Sequence, residues 1–140
     1  TINYLGGKQA LRGAKLPESE YEYIDLIHAG LPKLSFDYLL NITGLPLTEL
    51  AGIFNITDRT LRRYTAYTIM NREQSERAVE IARLYSKGSE ILGSLENFKE
   101  WMGSPIPALG GKMPKTYLNT SLGINLLTKL LGRIEYGVYS

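Results

Sequence analysis

The amino-acid sequence predicts an all-α protein in which two helical domains follow one another along the chain. Apolar residues recur three and four positions apart in most segments, which is the period of an amphipathic helix. Serine, threonine or proline precedes most of these segments, and glycine or proline follows them, as expected at helix starts and ends. Hydrophobic residues make up 44% of the 140 residues, which is enough for a packed interior at this chain length.

The first twenty residues differ in composition from the rest of the chain. Three glycines and three basic residues precede the first acidic residue, namely Gly6, Gly7, Gly13, Lys8, Arg12 and Lys15. Glycine-rich segments of this kind behave as flexible linkers. We therefore expect residues 1–20 to form a flexible basic arm, followed by a helix over residues 23–29 that ends at Gly30.

Two short helices are expected after this break. Ser35 is a good N-cap for a helix over residues 36–41, and Gly44 would end it. Pro46 then sets the first turn of a helix over residues 47–54, because its fixed φ already suits a helix.

A third predicted helix completes the pattern of a helix-turn-helix motif. Thr57 is its N-cap, and the helix runs from residue 58 to about residue 67. The residues that the motif needs are Leu50 and Ala51 at the crossing, Asn55 at the turn, and Phe54, Ile56, Leu61 and Tyr64 on the inner faces. Asparagine suits the turn because it tolerates a left-handed backbone conformation. The sequence therefore predicts a helix-turn-helix motif.

The outward face of the third helix is the candidate DNA-binding site. If Leu61 and Tyr64 point inward, the outer side carries Thr57, Arg59, Thr60, Arg62 and Arg63. Such a positive, hydrogen-bonding surface is typical of helices that enter the major groove. The alternative is a solvated charged helix face. We favour DNA contact because the turn chemistry agrees with the basic face.

A polar segment, residues 71–77, separates the two expected domains. We assign residues 21–72 to the helix-turn-helix domain and residues 73–140 to a second helical domain. The formal net charge is only +2, so any contact with nucleic acid depends on a local patch, doubled in a dimer.

The second domain begins with two predicted helices. The first covers residues 75–87, and Gly88 and Gly93 would weaken or end it. The second covers residues 95–102 and has Ser94 as its N-cap. An apolar stripe at helical spacing on this second helix consists of Phe98, Trp101 and Met102. Such a stripe is more often part of a core than a ligand site.

A loop rich in proline and glycine leads to the last helix. Residues 104–114 contain three prolines and two glycines, so we expect a loop of defined shape, followed by a short helix over residues 114–118. Thr120 or Ser121 caps the last helix, which runs to about residue 136. Its apolar stripe is Ile124, Leu127, Leu131 and Ile134, widened by Leu126 and Leu130. This helix is either well buried or shared with another chain.

The C-terminal tail, residues 136–140, is uncharged and aromatic. It consists of Tyr136, Gly137, Val138, Tyr139 and Ser140. Chain ends are usually polar and frayed, so this composition predicts a docked segment. Two interpretations are open at this point: the tail folds back over its own domain, or it enters a pocket of a partner.

The signals of catalysis, metal binding and membrane insertion are missing from the sequence. There is no cysteine and one histidine, His28, which leaves no thiolate site or histidine pair for a metal. The sequence around Lys112 lacks the first glycine and the Ser or Thr of a phosphate-binding loop, since Ile106 and Met113 stand there. No apolar run approaches the roughly 18 residues of a membrane span. We expect neither an enzyme nor a cofactor, metal or membrane partner.

Two parts of the chain resemble a known family. Residues 101–105, 108–114, 118–120 and 130–140 are similar to the toxin-binding domain of Xre/MbcA/ParS-type antitoxins, and residues 57–63 resemble the Xre-like helix-turn-helix of the same proteins. The resemblance covers about residues 35–140, and its C-terminal half is the more specific part.

The resemblance implies a cytoplasmic antitoxin that inhibits a cognate RES-domain toxin, an enzyme that degrades NAD or transfers its ADP-ribose. It places the antitoxin's C-terminal end at the toxin's active-site entrance. Carried over to this sequence, the toxin-binding residues are Arg133, Glu135 and the C-terminal tail from Tyr136 to Ser140. The resemblance also implies that the toxin-antitoxin complex represses its own operon by binding operator DNA. A homodimer within this complex is expected because one recognition helix of modest charge binds operator DNA weakly.

A second interpretation belongs to a different class of protein. It is a dimeric helix-turn-helix transcription regulator whose C-terminal half is a dimerisation or ligand domain. The two interpretations differ at the C-terminal tail, because an ordinary dimerisation domain gives no reason for an uncharged aromatic end.

Overall fold

The computed structural model describes residues 1–11 and 16–137. Within these residues the protein contains eight α-helices, three short 3-10 helices and no β-strand. The predicted all-α class is confirmed. The chain divides into two compact units, Thr1–Ala82 and Arg83–Ser140, so the division falls inside a helix and not at the boundary expected after residue 72. None of the described helices combines the length and the hydropathy of a membrane-spanning segment.

Five complete helices and the start of a sixth belong to the first unit. They are α1, Gly7–Leu11; α2, Glu20–Ala29; α3, Lys33–Thr43; α4, Leu47–Ile53; α5, Asp58–Arg63; and α6, Arg72–Leu92, which ends in the second unit. A 3-10 helix, Ile2–Leu5, precedes α1. The core of this unit is formed by apolar residues from the 3-10 helix and from α3 to α6.

The expected flexible arm is wrong for residues 1–11, which are helical and pack on α3. Leu5 is fully buried, and its carbonyl oxygen accepts a hydrogen bond of 2.7 Å from the buried Ser35 hydroxyl. At Gly6, with φ of 97°, a Cβ atom would lie 2.8 Å from the ring of Tyr38. The free energy gained by burying apolar side chains thus exceeds the conformational entropy lost when the glycines become ordered. Arg12 and Lys15 lie outside the described residues.

Ser35 is not an N-cap, because α3 begins earlier than the sequence predicts. Its N-cap is Pro32, whose side chain contains no hydrogen-bond acceptor. The backbone N–H groups of Lys33 and Leu34 instead donate to the carbonyl oxygens of Thr68 and Ala66, each at 2.8 Å. Backbone from a distant segment therefore satisfies the free donors of this helix start.

The second unit contains the end of α6 and two further α-helices. These are α7, Leu95–Met102, and α8, Ser121–Glu135, with the 3-10 helices Pro107–Leu109 and Pro114–Tyr117 between them. The Ser94 hydroxyl accepts a hydrogen bond from the Asn97 N–H at 3.0 Å, so the predicted cap of α7 is confirmed. Phe98 and Met102 are buried, which confirms their predicted core role, whereas Trp101 is half-buried and stacks on Phe98 with ring centroids 5.7 Å apart.

Gly88 neither ends nor interrupts α6, contrary to the sequence-based expectation. The helix continues to Leu92, and the ring of Phe98 packs directly against the Gly88 backbone. A Cβ atom at this position would lie 2.1 Å from that ring. Tyr85 meets the same ring edge-on, with centroids 4.9 Å apart. The glycine is thus required by aromatic packing, which offsets its low helix propensity.

The loop before α8 has the defined shape that its composition predicts. The N–H of Ile106 donates to the Lys112 carbonyl oxygen at 3.1 Å and closes the loop. Gly110 and Gly111 have φ values of 67° and 85°, a region that favours glycine. Leu109 points into the core from within the loop.

Candidate functional site

The helix-turn-helix consists of α4, α5 and the turn between them. Leu50 and Ala51 are buried where the helices cross. Asn55 has a φ of 55°, and the Ile56 N–H donates to the Ala51 carbonyl oxygen at 3.0 Å. The left-handed turn residue predicted from the sequence is therefore confirmed.

The inner face of the motif is apolar, as predicted. Phe54 and Leu61 are buried, whereas Ile56 and Tyr64 are half-buried. The ring of Phe54 meets Phe36 of α3 at a centroid distance of 5.2 Å. This contact fixes the turn relative to α3.

The third helix is shorter than the sequence predicts. It ends at Arg63, and Tyr64 is its C-cap. Thr65 starts a separate turn, in which its N–H donates to the Thr68 hydroxyl at 2.9 Å. The following backbone then pairs with the residues just before α3, since the Met70 N–H donates to the Leu31 carbonyl oxygen at 2.8 Å. A helix to residue 67 would remove this pairing.

The candidate DNA-binding residues lie together on α5 and its cap. The Thr57 hydroxyl accepts a hydrogen bond from the Thr60 N–H at 3.1 Å and donates to the Thr60 hydroxyl at 2.9 Å. Arg59, Arg62 and Arg63 are exposed, as are both threonines. With Leu61 directed into the core, the three guanidinium groups occupy the outer side of the helix. The structure thus brings together all five residues that the sequence selects.

Arg77 supports this motif and was not selected from the sequence. Its Nη1 atom donates to the carbonyl oxygen of Ile53 at 3.4 Å, and its Nε atom pairs with Glu80 at 3.3 Å. A cation at the C-terminus of a helix is favourable because the last carbonyl groups carry partial negative charge. The i, i+3 spacing of Arg77 and Glu80 in the sequence indicates their ion pair. It gives no indication that Arg77 contacts the end of α4.

The second candidate site begins at the end of α8. Buried Ile124, Leu127, Leu130 and Leu131 fix this helix in its unit. Arg133 and Glu135 are exposed, and Tyr136 is 81% exposed. Gly137 is left-handed, with φ of 70°. Val138, Tyr139 and Ser140 lie outside the described residues.

Two leucines of α8 face outward. Leu122 is 82% exposed and Leu126 is 40% exposed, whereas Leu130 lies in the core. The predicted widening of the apolar stripe is therefore correct for Leu130 and wrong for Leu126 within this chain. Periodicity alone does not separate these leucines, because both lie at the edges of the buried stripe.

The carboxylate and imidazole groups of the described residues are not clustered as metal ligands would be. No group of three His, Cys, Asp or Glu side chains in the described part of the chain could hold a metal ion. Burial raises the pKa of the Tyr85 hydroxyl above its ordinary value, and this residue packs in the core against Phe98. Its perturbed pKa reflects desolvation in the interior.

Comparison with known proteins assigns a family to both parts of the chain. Residues 22–83 match the family model described as the antitoxin Xre-like helix-turn-helix domain. Residues 87–137 match the antitoxin Xre/MbcA/ParS C-terminal toxin-binding domain. Antitoxin Xre of Yersinia enterocolitica is 31% identical over 142 aligned residues, covering 96% of this chain and 87% of the relative. This chain belongs to the Xre antitoxins.

A second relative supports the same assignment. Antitoxin Xre of Photorhabdus laumondii is 26% identical over 132 residues, covering 92% of this chain and 89% of the relative. The first unit of this Xre antitoxin thus contains the helix-turn-helix, and the second is a toxin-binding domain. The protein class is an antitoxin and not an enzyme.

Proposed function

We propose that this antitoxin inhibits a cognate RES-domain toxin, an enzyme that degrades NAD or transfers its ADP-ribose, by placing the C-terminal tail in the toxin's active site. The observation that carries the proposal is the position of Tyr136. It is 81% exposed at the end of a helix whose other side is firmly buried. An exposed aromatic side chain on a rigid support can fill an apolar pocket at a small cost in conformational entropy.

The composition of the C-terminal tail suits such a pocket. It contains two tyrosines, one valine and no charged side chain, so its entry requires no burial of a side-chain charge. Arg133 and Glu135 lie within the last helical turn before the tail and are exposed. We assign them to the rim of the same contact, where polar residues surround a buried centre.

Deletion of residues 138–140 tests this mechanism. The antitoxin variant is produced together with the RES-domain toxin proposed as its partner, and cellular NAD is measured. We expect NAD to fall while the two proteins still co-purify, because the tail blocks the toxin but is not its only contact. Replacing the same residues with three glycines separates the effect of side chains from that of chain length. Undiminished protection by the deleted form would refute active-site blockage.

The helix-turn-helix supports a second activity, repression of the antitoxin's own operon. Arg59, Arg62 and Arg63 are exposed on one helix, beside a capped N-terminus that can approach the DNA backbone. A single short helix binds operator DNA weakly, so we propose a homodimer within a larger toxin-antitoxin complex. Exposed apolar side chains on the first unit support self-association: Tyr21, Ile24, Tyr67 and Ile69.

Arginine substitutions test the DNA contact separately. Arg62→Ala should weaken operator binding about tenfold or more, since a base or phosphate contact is lost, and should leave toxin inhibition intact. Lys112→Ala removes an exposed positive charge from the second unit and serves as the matched control. Equal operator affinity for Arg62→Ala and the unaltered protein would exclude this arginine from the interface.

The alternative of a transcription regulator without a toxin partner is disfavoured by the toxin-binding domain that residues 87–137 match. We place the complex in the cytoplasm, where NAD and operator DNA are both present. The proposed activity requires no cofactor of the antitoxin itself.

A further inference from the structure

The outer side of α8 carries a continuous stripe of exposed residues. Leu122, Leu126, Lys129 and Arg133 are spaced by four, three and four positions, so they lie on one side of the helix. All four are exposed. The residues that anchor the helix, among them Leu127 and Leu131, point to the opposite side. We call these four residues the α8 stripe.

The apolar end of the α8 stripe borders a groove of about 380 Å³. It is lined by Tyr117, Thr120, Leu122, Gly123, Asn125, Leu126 and Lys129. Gly123 allows the wall of this groove to form, because a Cβ atom there would lie 2.3 Å from the Tyr117 carbonyl oxygen. The 3-10 helix Pro114–Tyr117 can therefore pack directly against the first turn of α8.

The other end of the α8 stripe is positively charged. Lys129 and Arg133 are both basic, and the only acidic residue of α8 is Glu135. At 100° per residue, Glu135 lies well away from the stripe around the helix axis. The four residues of the α8 stripe and the described residues that line its groove therefore combine apolar side chains with two cations and include no acidic side chain.

The α8 stripe leads directly to the C-terminal tail. Tyr136 follows Arg133 by three positions, so the distance along the helix axis from Leu122 to Tyr136 is about 21 Å. The whole stripe lies within the toxin-binding domain, residues 87–137. Exposed leucines next to a known binding region are more typical of an interface than of free surface.

We propose that the α8 stripe is a docking surface for the toxin that is separate from the C-terminal tail and adjoins it at Arg133. An apolar side chain of the toxin occupies the groove between Leu122 and Tyr117, and carboxylates on the toxin surface meet Lys129 and Arg133. This inference depends on the proposed function only in taking the toxin as the partner. Docking along α8 holds the tail at a high local concentration beside the active site.

Paired substitutions on the surface test this division of roles. Leu122→Ser combined with Leu126→Ser should weaken toxin binding about tenfold for each leucine, because apolar area is no longer buried in the complex. Met113→Ser is the matched control, since Met113 is also an exposed apolar residue of the second unit. Thermal unfolding is measured for both, because Leu126 and Met113 are only 40% and 37% exposed and a loss of stability must be separated from a loss of binding.

Charge reversal tests the basic end of the α8 stripe. Lys129→Glu combined with Arg133→Glu should weaken binding at low salt and flatten the dependence of Kd on NaCl concentration, since attractive surface charges are screened by salt. Lys112→Glu reverses one charge on an exposed loop of the second unit; compared with Lys129→Glu alone, it should leave that dependence nearly unaltered.

The outcomes separate the stripe from the tail. Toxin affinity is measured by titration calorimetry for each variant, and NAD consumption is measured in parallel. The proposal requires that stripe variants lose affinity, while deletion of residues 138–140 loses inhibition and keeps most of the affinity. Stripe variants that bind the toxin like the unaltered protein would overturn the proposal and leave the tail mechanism intact. Unchanged toxin affinity together with loss of self-association would assign the stripe to a second copy of this chain instead. If the unaltered antitoxin fails to bind the toxin, the proposed function itself is overturned.

Discussion

The two candidate binding helices, α5 and α8, are held in place by different means. α5 has six residues, one of them buried, and its position depends on the Thr57 cap and the left-handed turn at Asn55. α8 has fifteen residues and is fixed by a buried apolar stripe. A helix as short as α5 is not stable alone, so its surface depends on local turn chemistry. The surface of α8 depends on core packing.

The composition of the exposed surfaces follows the same division. α5 exposes arginines and threonines, which suit phosphates and base edges. α8 exposes two leucines beside two cations, which suits a protein surface. Each surface should therefore depend on the interactions that hold its own helix.

Leu127→Ala should have the largest effect. This side chain is fully buried in the second unit, and its truncation leaves a cavity that costs about 2–5 kcal/mol of unfolding free energy. We expect toxin inhibition to weaken as α8 loses its support. Denaturant unfolding measures the loss of stability. Leu126→Ala, on the exposed side of the same helix, should change stability by only about 0.5 kcal/mol.

Gly88→Ala should destabilise the protein by about 1–3 kcal/mol, because the new methyl group collides with the Phe98 ring. Gly52→Ala is the matched control in α4, where nothing lies within 4 Å of the added Cβ. That control should be neutral or slightly stabilising, since alanine favours a helix. Equal unfolding midpoints for the two variants would contradict the packing described for Phe98.

Alkaline pH should weaken the second unit through Tyr85. Burial raises the pKa of its hydroxyl in the folded state, so the contribution of Tyr85 is fully present below its unfolded-state pKa of about 10. Above that pH the unfolded chain loses the proton first, and stability falls by about 1.4 kcal/mol per pH unit until the folded-state pKa is reached. The test compares the slope of unfolding free energy against pH for the unaltered protein and Tyr85→Phe. Identical slopes above pH 10 would show that this hydroxyl does not remain protonated in the folded state.

Thr57→Ala should have a smaller effect on stability than Leu127→Ala, about 1 kcal/mol, because the Thr60 N–H loses its hydrogen-bond acceptor. Ser94→Ala removes the equivalent cap of α7 and should cost a similar amount. The two substitutions should differ in their effect on operator binding. Operator binding, measured by fluorescence anisotropy, should fall for Thr57→Ala and stay unchanged for Ser94→Ala. A similar loss of operator binding in the two variants would mean that the loss results from lower overall stability and not from removal of the α5 cap.

The sequence predicts structure well where the determining interactions are local. The caps at Thr57 and Ser94 and the turn at Asn55 involve residues within a few positions, and all three predictions are confirmed. Local rules also place the five candidate residues of α5 on one exposed surface. Their contact with DNA stays a prediction.

The sequence-based errors have long-range causes. α3 starts early because carbonyl groups from residues 66–68 accept its N–H groups, and α6 continues through Gly88 because Phe98 fills the space beside it. Likewise, Leu126 and Leu130 look equivalent in the sequence, and only the packing around α8 decides which is buried. Such contacts leave no signal in the spacing of residues along the chain.

The hydrogen bond between Ser35 and Leu5 has a consequence for dissecting this antitoxin into fragments. The helix-turn-helix family match begins at residue 22. A fragment that starts there would lack the N-terminal residues that pack on α3. The Ser35 hydroxyl would lose its acceptor, and the apolar surface now beneath Leu5 would meet water. A minimal operator-binding fragment should therefore retain the first eleven residues, and an affinity tag is better joined elsewhere.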